Sequence, residues 1–516
     1  MVEQRRDLYI TIFQKAVKQR ELTIFSIWIT DRHPDDDKVW LFNAGSYDML
    51  LSTLRKGNVT VNEIPAFVLS VLKKKGEGEE AKVERVLKDL EERLGGEEGM
   101  WGSLMEFQKV GVAKAVAREG RVLIGDEMGL GKTLQALAVC AWYRTEWPVL
   151  VICPSSLRLT WQAEIQKWLS VESDAIQVIF SGKDEVDQNA EFVIISYDLA
   201  TKDQLAEQLS ERKFKIVVAD ESHYLKSRDA KRTKTILPML KNAKQALLLS
   251  GTPALSRPME LYTQLSALFK KFVSMQAFGT RYCDAKHGRY GWDYSGNSNT
   301  RELNWYLTKT VLIRRLKKDV LTELPEKRRQ CIYVEIPAKA KKAMQKLKEK
   351  TNVLDAKIQR SKDNVEKFTE AQWEKRLHLV DMYGETGRAK IAPVVEYIGE
   401  LYEDTGKKFI VFAHHMDVLD GISEYLDEKV KAKYIRIDGN TSQQIRHSLC
   451  EQFQGDAETR VAVLGITAAG VGLTLNAADL VIFAELFWNP AQLLQGEDRA
   501  HRIGREGNVD VKYILA

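Results

Sequence analysis

Two stretches of this chain repeat one rhythm, and that rhythm restricts the possible folds more than any other feature. From about 101 to 255, short apolar runs alternate with helix-length segments. The runs are Val122–Ile124, Val149–Ile152, Phe192–Ile195, Ile216–Ala219 and Ala246–Leu249. The pattern resumes near Arg388, with Phe409–Phe412, Tyr434–Ile437, Val461–Ile466, Leu480–Phe483 and Val511–Leu515. Runs this short and this continuously apolar match strands covered on both faces, as in a parallel sheet. Strands of that kind alternating with helices make the fold class α/β. Two such blocks predict two similar lobes with a cleft between them.

At 516 residues the chain has room for a further unit. Residues 1–72 read as a small α+β module. Leu22, Ile24 and Trp28 share one phase of a strand, Val39–Phe42 is a second strand, and Asp48–Leu54 is a helix ending near Lys56-Gly57. Residues 73–100 read as a charged linker helix whose stripe of Val83, Val86, Leu87, Leu90 and Leu94 stops at Gly95-Gly96. The first lobe is expected over 101–335, with an irregular basic protrusion from about 256. Residues 336–387 form a charged helical connector, and 388–516 the second lobe.

Charge alone does not name a partner. Lys+Arg 77 against Asp+Glu 72 leaves only +5, so nucleic acid is permitted and not implied. Arg314, Arg315, Lys317, Lys318, Lys327, Arg328 and Arg329 are read as an exposed basic surface. The five cysteines are scattered, with no pair at zinc-ligand spacing. The N-terminus lacks a signal-peptide core, and the apolar runs are too short to span a bilayer. These features predict a soluble intracellular protein. The chain stops at Ala516, soon after its last motif, which predicts no C-terminal tail for partners.

The chemistry concentrates after particular strands. Asp126-Glu-Met-Gly-Leu-Gly-Lys-Thr133 follows the strand Val122–Ile124 and opens a helix, the setting of a phosphate-binding loop. Gly129 and Gly131 let backbone N–H groups curl around phosphate oxygens. Lys132 can reach the outer phosphates and Thr133 can present its hydroxyl to Mg²⁺. Asp126 stands where the generic pattern has glycine. Asp220-Glu-Ser-His223 ends the strand Ile216–Ala219; Asp220 can hold Mg²⁺ and Glu221 can activate water. Ser250-Gly-Thr252 follows another strand of the same lobe, where it can sense the nucleotide. In the second lobe, Arg499 and Arg502 are spaced i, i+3, predicting one helix face that offers two arginine fingers. Thr467-Ala-Ala-Gly-Val-Gly472 permits close backbone approach to phosphates or to the other lobe.

In this order the motifs resemble the Swi/Snf family of superfamily-two helicase-like ATPases. Trp488-Asn-Pro490 belongs to the same series. Further strings resemble the SMARCAL-type (HARP) annealing helicases within it: Cys153-Pro-Ser-Ser156, Leu249-Ser-Gly-Thr-Pro-Ala254, Arg281-Tyr-Cys-Asp-Ala-Lys286, Arg314-Arg-Leu-Lys-Lys-Asp-Val320, Val411-Phe-Ala-His-His415 and Phe483-Ala-Glu-Leu-Phe-Trp-Asn-Pro490. The resemblance covers about 101 to 516. It implies two RecA-like lobes that hydrolyse ATP with Mg²⁺ and move along duplex or forked DNA as a monomer, without sequence preference or membrane association. It implies adenine contacts from Phe107 and Gln108, and catalytic roles for Lys132, Asp220, Glu221, Arg499 and Arg502. Asp126 and Gln495 are further nucleotide contacts. Ser155, Thr160, Trp161, His414 and Thr467 fall in blocks that face DNA. Arg505 departs from the family's usual Gln, and residues 1–72 resemble the HARP substrate-recognition module only faintly.

The expected activity is fork remodelling or annealing in DNA repair or replication, in the cytoplasm or nucleoid of a prokaryote or virus, or a eukaryotic nucleus. Alternatives are a strand-separating DNA or RNA helicase, a nucleosome or protein–DNA remodeller, and a scaffold with a dead ATPase fold.

Overall fold

The computed structural model describes residues 46–516 except 57–60, 62, 74–77, 252–256, 289–290, 322–326, 362–363, 468–474 and 502–506; before residue 46 it describes only three strands. These are β1 (Ile12–Phe13), β2 (Ile29–His33) and β3 (Asp36–Phe42), in the antiparallel order β1-β3-β2. The strand expected around Leu22–Trp28 lies outside the described residues. The helix expected at Asp48–Leu54 runs Tyr47–Lys56.

The first lobe contains β4 (Arg121–Ile124), β5 (Val149–Cys153), β6 (Ile176–Val178), β7 (Phe192–Ser196), β8 (Ile216–Asp220) and β9 (Gln245–Leu249). A small hairpin of β10 (Lys286–Gly288) and β11 (Gly291–Asp293) precedes β12 (Leu312–Ile313). The main sheet has the order β12-β4-β9-β8-β5-β7-β6, and every pairing is parallel. Alternate residues of each strand enter different cores. Leu123, Leu150 and Ile152 join one; Val122, Ile124, Val149 and Val151 join the other. This two-sided burial explains the uninterrupted apolar runs.

The second lobe's sheet is also wholly parallel, in the order β13-β18-β17-β14-β16-β15. Its strands are β13 (Lys327–Tyr333), β14 (Phe409–Ala413), β15 (Tyr434–Ile437), β16 (Val461–Gly465), β17 (Leu480–Phe483) and β18 (Val509–Leu515). The fold is therefore the expected α/β pair of lobes.

Three expected boundaries shift. β13, read as part of the first lobe, pairs along its length with β18 of the second. Its charged sequence, Lys327-Arg-Arg-Gln-Cys-Ile-Tyr333, conceals an edge strand with exposed side chains. The presumed connector is a helical hairpin, and its second helix, Val365–Asp404, runs unbroken into the second lobe, where Val394 and Ile398 are buried. The linker helix, Glu79–Arg93, is no free tether. Val83, Leu90 and Leu94 join a core of the first lobe, and Arg118 Nε bonds Glu79 Oε1 at 2.6 Å. It does stop where glycine allows, at Gly95 with φ 80°. The helix Ala66–Leu72 also packs on the first lobe, with Val68 buried and Phe67 edge-on to Tyr306 at 5.0 Å. Among the described residues no helix is long and apolar enough to cross a membrane.

Candidate functional site

The loop between β4 and the helix Lys132–Trp142 is wound by two left-handed glycines, Gly129 at φ 83° and Gly131 at φ 69°. A side chain at Gly131 would also collide with the Gln108 amide. The Lys132 ammonium folds over the loop, 3.0 Å from Asp126 O and 3.4 Å from Glu127 O. Carbonyls thus hold a charge that a phosphate could take. Thr133 sits half-buried in the helix's first turn. Gln108 is buried and donates to Leu130 O at 3.1 Å, and its Oε1 accepts from Met105 N at 2.9 Å. It therefore braces the loop from behind.

Asp126 departs from its expected nucleotide role. Its side chain is 0% exposed and forms an ion pair with Arg315. Oδ1 accepts from both Arg315 Nε and Arg315 N at 2.9 Å, and Gln135 Nε2 donates to Oδ2 at 3.0 Å. The Arg315 guanidinium also bonds Phe107 O, reaches Gln135 Oε1 at 2.6 Å and lies 5.0 Å from the Phe107 ring centroid. The carboxylate therefore clamps the loop to Phe107 and the segment after β12.

Asp220 and Glu221 stand at the C-terminal end of β8. Glu221 takes a left-handed backbone conformation, φ 51°, unusual for a residue with a Cβ. His223 Nδ1 lies 3.2 Å from both Glu221 Oε2 and Ser250 Oγ, joining the acidic motif to the start of Ser250-Gly-Thr252. Burial pushes the Asp220 carboxyl up to about 6, Glu221 adds to the push, and Trp161 and Lys132 oppose it. Burial acts the same way on Glu221, yet the His223 hydrogen bond and the charges of His223, Lys132 and Arg499 keep it below the usual carboxylate range. Glu221 is thereby ionised and able to accept a proton at neutral pH.

Trp161 is not on a DNA-facing surface. It is buried, and its indole N–H donates to Asp220 Oδ2 at 3.0 Å. Tyr197 OH donates to Asp220 O at 2.7 Å. Its helix, Arg158–Leu169, turns Trp161 toward the sheet while Thr160 stays exposed. Ser155 and Thr467 meet in a cleft of about 270 Å³ between the lobes, with Tyr197 and Tyr224 on one side and Gly439 and Arg446 on the other. His414 lies elsewhere, half-buried 5.4 Å from Tyr383 and 5.0 Å from Phe487 between ring centroids.

The helix meant to carry both arginines, Pro490–Glu497, ends before Arg499. Arg499 sits in the turn that follows this helix; Arg502 and Arg505 lie outside the described residues. Gln495 is buried on the helix's last turn. Arg499 is 1% exposed, and its charge acts on Glu221 across the cleft.

Part of the expected basic surface is a network between the lobes: Lys317 is buried and Arg315 and Lys327 are half-buried, while Arg314, Lys318, Arg328 and Arg329 stay exposed. Lys317 Nζ lies 2.8 Å from Asp498 Oδ1 and donates to His501 O at 2.6 Å, while Lys317 N donates to Glu127 Oε2 at 2.8 Å. One residue thus connects the phosphate loop to the second lobe. Lys327 Nζ pairs with Glu497 and Asp498, both at 2.9 Å, and Arg329 donates to both Glu497 oxygens at 2.8 and 2.7 Å. Burial opposes the charge on Glu497, but Arg329, Lys327 and Tyr513 hold it down at about 2. Arg315, Lys317 and Asp498 were not foreseen as site residues. The available signal was the acid-rich Gln495-Gly-Glu-Asp498 following an equally dense basic run.

Two family models match: the SNF2-related domain over residues 107–379 and the helicase conserved C-terminal domain over 389–504. The SWI/SNF-related matrix-associated actin-dependent regulator of chromatin subfamily A-like protein 1 of Xenopus laevis is 44% identical over 504 residues, 96% of this chain and 50% of its own length. The human DNA annealing helicase and endonuclease ZRANB3 is 42% identical over 423 residues, 80% of this chain and 38% of its own. The chain thus spans about half, or less, of the length of these curated relatives. A solved Sulfolobus solfataricus SWI2/SNF2 ATPase core in complex with dsDNA covers 80% of this chain and 87% of its own at 23% identity, with a TM-score of 0.40. With one family model covering more than half of its residues and a second matching the other lobe, this chain belongs to the SNF2-related family of helicase-like ATPases.

Proposed function

We propose that the protein is a DNA-dependent ATPase that translocates on duplex or forked DNA and remodels or anneals forks in repair or replication. One observation carries the reading: Lys317 bridges the lobes beside the phosphate loop, its N donating to Glu127 Oε2 at 2.8 Å and its Nζ lying 2.8 Å from Asp498 Oδ1, next to buried Arg499 of the second lobe. A site split between lobes couples its own completion to lobe closure. The relatives' names, which include annealing helicases, favour DNA as the track.

In this mechanism Lys132 leaves the loop carbonyls for the outer phosphates, and the backbone around Gly129 and Gly131 cradles them. The side chains fit a nucleotide-borne metal: Asp220 is a buried carboxylate on which the Lys132 charge acts, and Thr133 stands in the first turn of the helix that follows the phosphate loop. Mg²⁺ bound with ATP would neutralise charge developing on the phosphates. Glu221 orients water and takes its proton. Arg499 stabilises the transferring phosphoryl group, with Arg502 and Gln495 completing the site. Ser155 and Thr467 grip the DNA backbone from opposite lobes, so each closure moves one grip relative to the other.

The test is ATP turnover with single-stranded, duplex and forked DNA, alongside displacement of a third strand. Duplex or forked DNA should stimulate the wild type, and Lys132→Ala and Glu221→Gln should abolish turnover in folded protein. Near-normal turnover in either variant, or a wild type indifferent to DNA, would overturn the reading.

A further inference from the structure

The chain crosses from β12 of the first lobe to β13 of the second through residues 314–326, and lysines at the two ends of this crossing meet on one atom. Lys317 Nζ lies 2.8 Å from Asp498 Oδ1, and Lys327 Nζ lies 2.9 Å from the same oxygen. The grip of Lys317 is wider than one ion pair. Its ammonium also donates to His501 O at 2.6 Å, so it holds the turn on both sides of Arg499. Arg499 lies between these contacts, 1% exposed, and its carbonyl accepts from Leu475 N at 3.3 Å.

The main chain of Lys317 faces the other way. Its N–H donates to Glu127 Oε2 at 2.8 Å. Glu127 belongs to the phosphate loop. Its own N–H donates to Arg315 O at 3.0 Å, and its carbonyl lies 3.4 Å from the Lys132 ammonium. A continuous path of polar contacts therefore runs from Lys132 through Glu127 and Lys317 to the residues flanking Arg499.

Stability does not account for this arrangement. Lys317 and Asp498 are each 5% exposed, and desolvation offsets much of the attraction between charges placed so deeply. Asp498 also has Lys327 as a cation, so its charge is compensated without Lys317. What Lys317 adds is a fixed separation, spanned by one side chain, between the phosphate loop and the turn of Arg499.

We infer that Lys317 is the positioning residue for Arg499, holding the arginine's turn in register with the phosphate loop so that the guanidinium meets the transferring phosphoryl group. The inference deepens the proposed function, on which it rests, by naming what ties the second lobe's arginine to the loop. In this role Lys317 acts through Arg499 and not on the nucleotide. Nucleotide entry, by drawing Lys132 off Glu127 O, acts at the loop end of the same path.

The experiment compares wild type, Lys317→Met, Arg499→Ala and the double variant in single-turnover ATP hydrolysis, with and without duplex DNA, and in equilibrium nucleotide binding. Methionine keeps most of the stem, and Lys327 leaves Asp498 with a partner. Lys317→Met should slow hydrolysis about 10- to 100-fold, the scale set by a misplaced reacting group, and leave nucleotide affinity close to wild type. In the Arg499→Ala background the same substitution should cost nothing further, because a residue that acts only through Arg499 has nothing left to place. Asp498→Asn keeps the shape of the turn and leaves Lys327 with Glu497 at 2.9 Å. It should slow hydrolysis with the same dependence on Arg499, and it carries the test if Lys317→Met folds poorly. Wild-type hydrolysis in these variants, or a loss that multiplies with that of Arg499→Ala or falls on nucleotide affinity, would overturn the inference and leave a structural ion pair. A wild type that DNA fails to stimulate would instead overturn the proposed function.

Discussion

The ion pair between Asp126 and Arg315 permits a quantitative test of how the phosphate loop is held. Replacing Arg315 with Met preserves much of the stem and removes the guanidinium. Asp126, 0% exposed, would keep only the Gln135 amide at 3.0 Å as a side-chain partner. Removing one member of a buried pair costs about 3–5 kcal/mol, because the other charge is left without compensation. The Phe107 carbonyl and Gln135 Oε1 lose donors as well. Against a typical domain stability of about 5–15 kcal/mol, this is a large fraction. Arg315→Met should therefore lower the unfolding midpoint of the first lobe strongly, followed in guanidinium by the fluorescence of its buried Trp101 and Trp161. Asp126→Leu combined with Arg315→Met removes both charges and should recover most of the loss, giving a coupling of about 2 kcal/mol or more. A single variant that loses less than about 1 kcal/mol, or a double variant as unstable as the two singles added, would refute the clamp.

Trp161→Phe removes a charge-assisted hydrogen bond to Asp220, an interaction of about 1.5–3 kcal/mol. Half-saturation of turnover by Mg²⁺ should rise about 10-fold or more, and metal-free nucleotide binding should be unchanged; an unaltered Mg²⁺ titration would count against a positioning role. Arg499→Ala should depress hydrolysis by about 10³-fold or more while nucleotide affinity changes little, which single-turnover and equilibrium binding measurements separate. Glu497, held at about 2 against an ordinary 4.5, contributes up to about 3 kcal/mol. Its folded pKa is depressed, so this stability is present above about pH 4.5 and fades as pH falls toward 2. Acid unfolding of Glu497→Gln should show a shallower stability slope in that window, by about one proton.

The two-lobed architecture was legible because burial on both sheet faces demands unbroken apolar strands. Val149–Ile152 and Phe409–Phe412 could hardly serve any other structure. The phosphate loop was legible for a related reason: a left-handed turn at Gly131, pressed against Gln108, tolerates no side chain. β13 escaped notice because an edge strand needs only backbone pairing, and its Lys327-Arg-Arg329 start disguised it as solvated surface. The place of Arg499 was not legible, because spacing alone cannot say where the helix Pro490–Glu497 ends.

By itself, then, the sequence determined the fold class, the loop and the acidic pair, since each follows from local geometry within a few residues. Only the tertiary structure decided what the charges do. Arg315, Lys317, Lys327 and Trp161 meet partners far away in the chain, at Asp126, Asp498, Glu497 and Asp220. Whether a charge is solvated or buried depends on which distant segment covers it, and desolvation, which no local pattern encodes, turns a basic run into the clamp between the lobes.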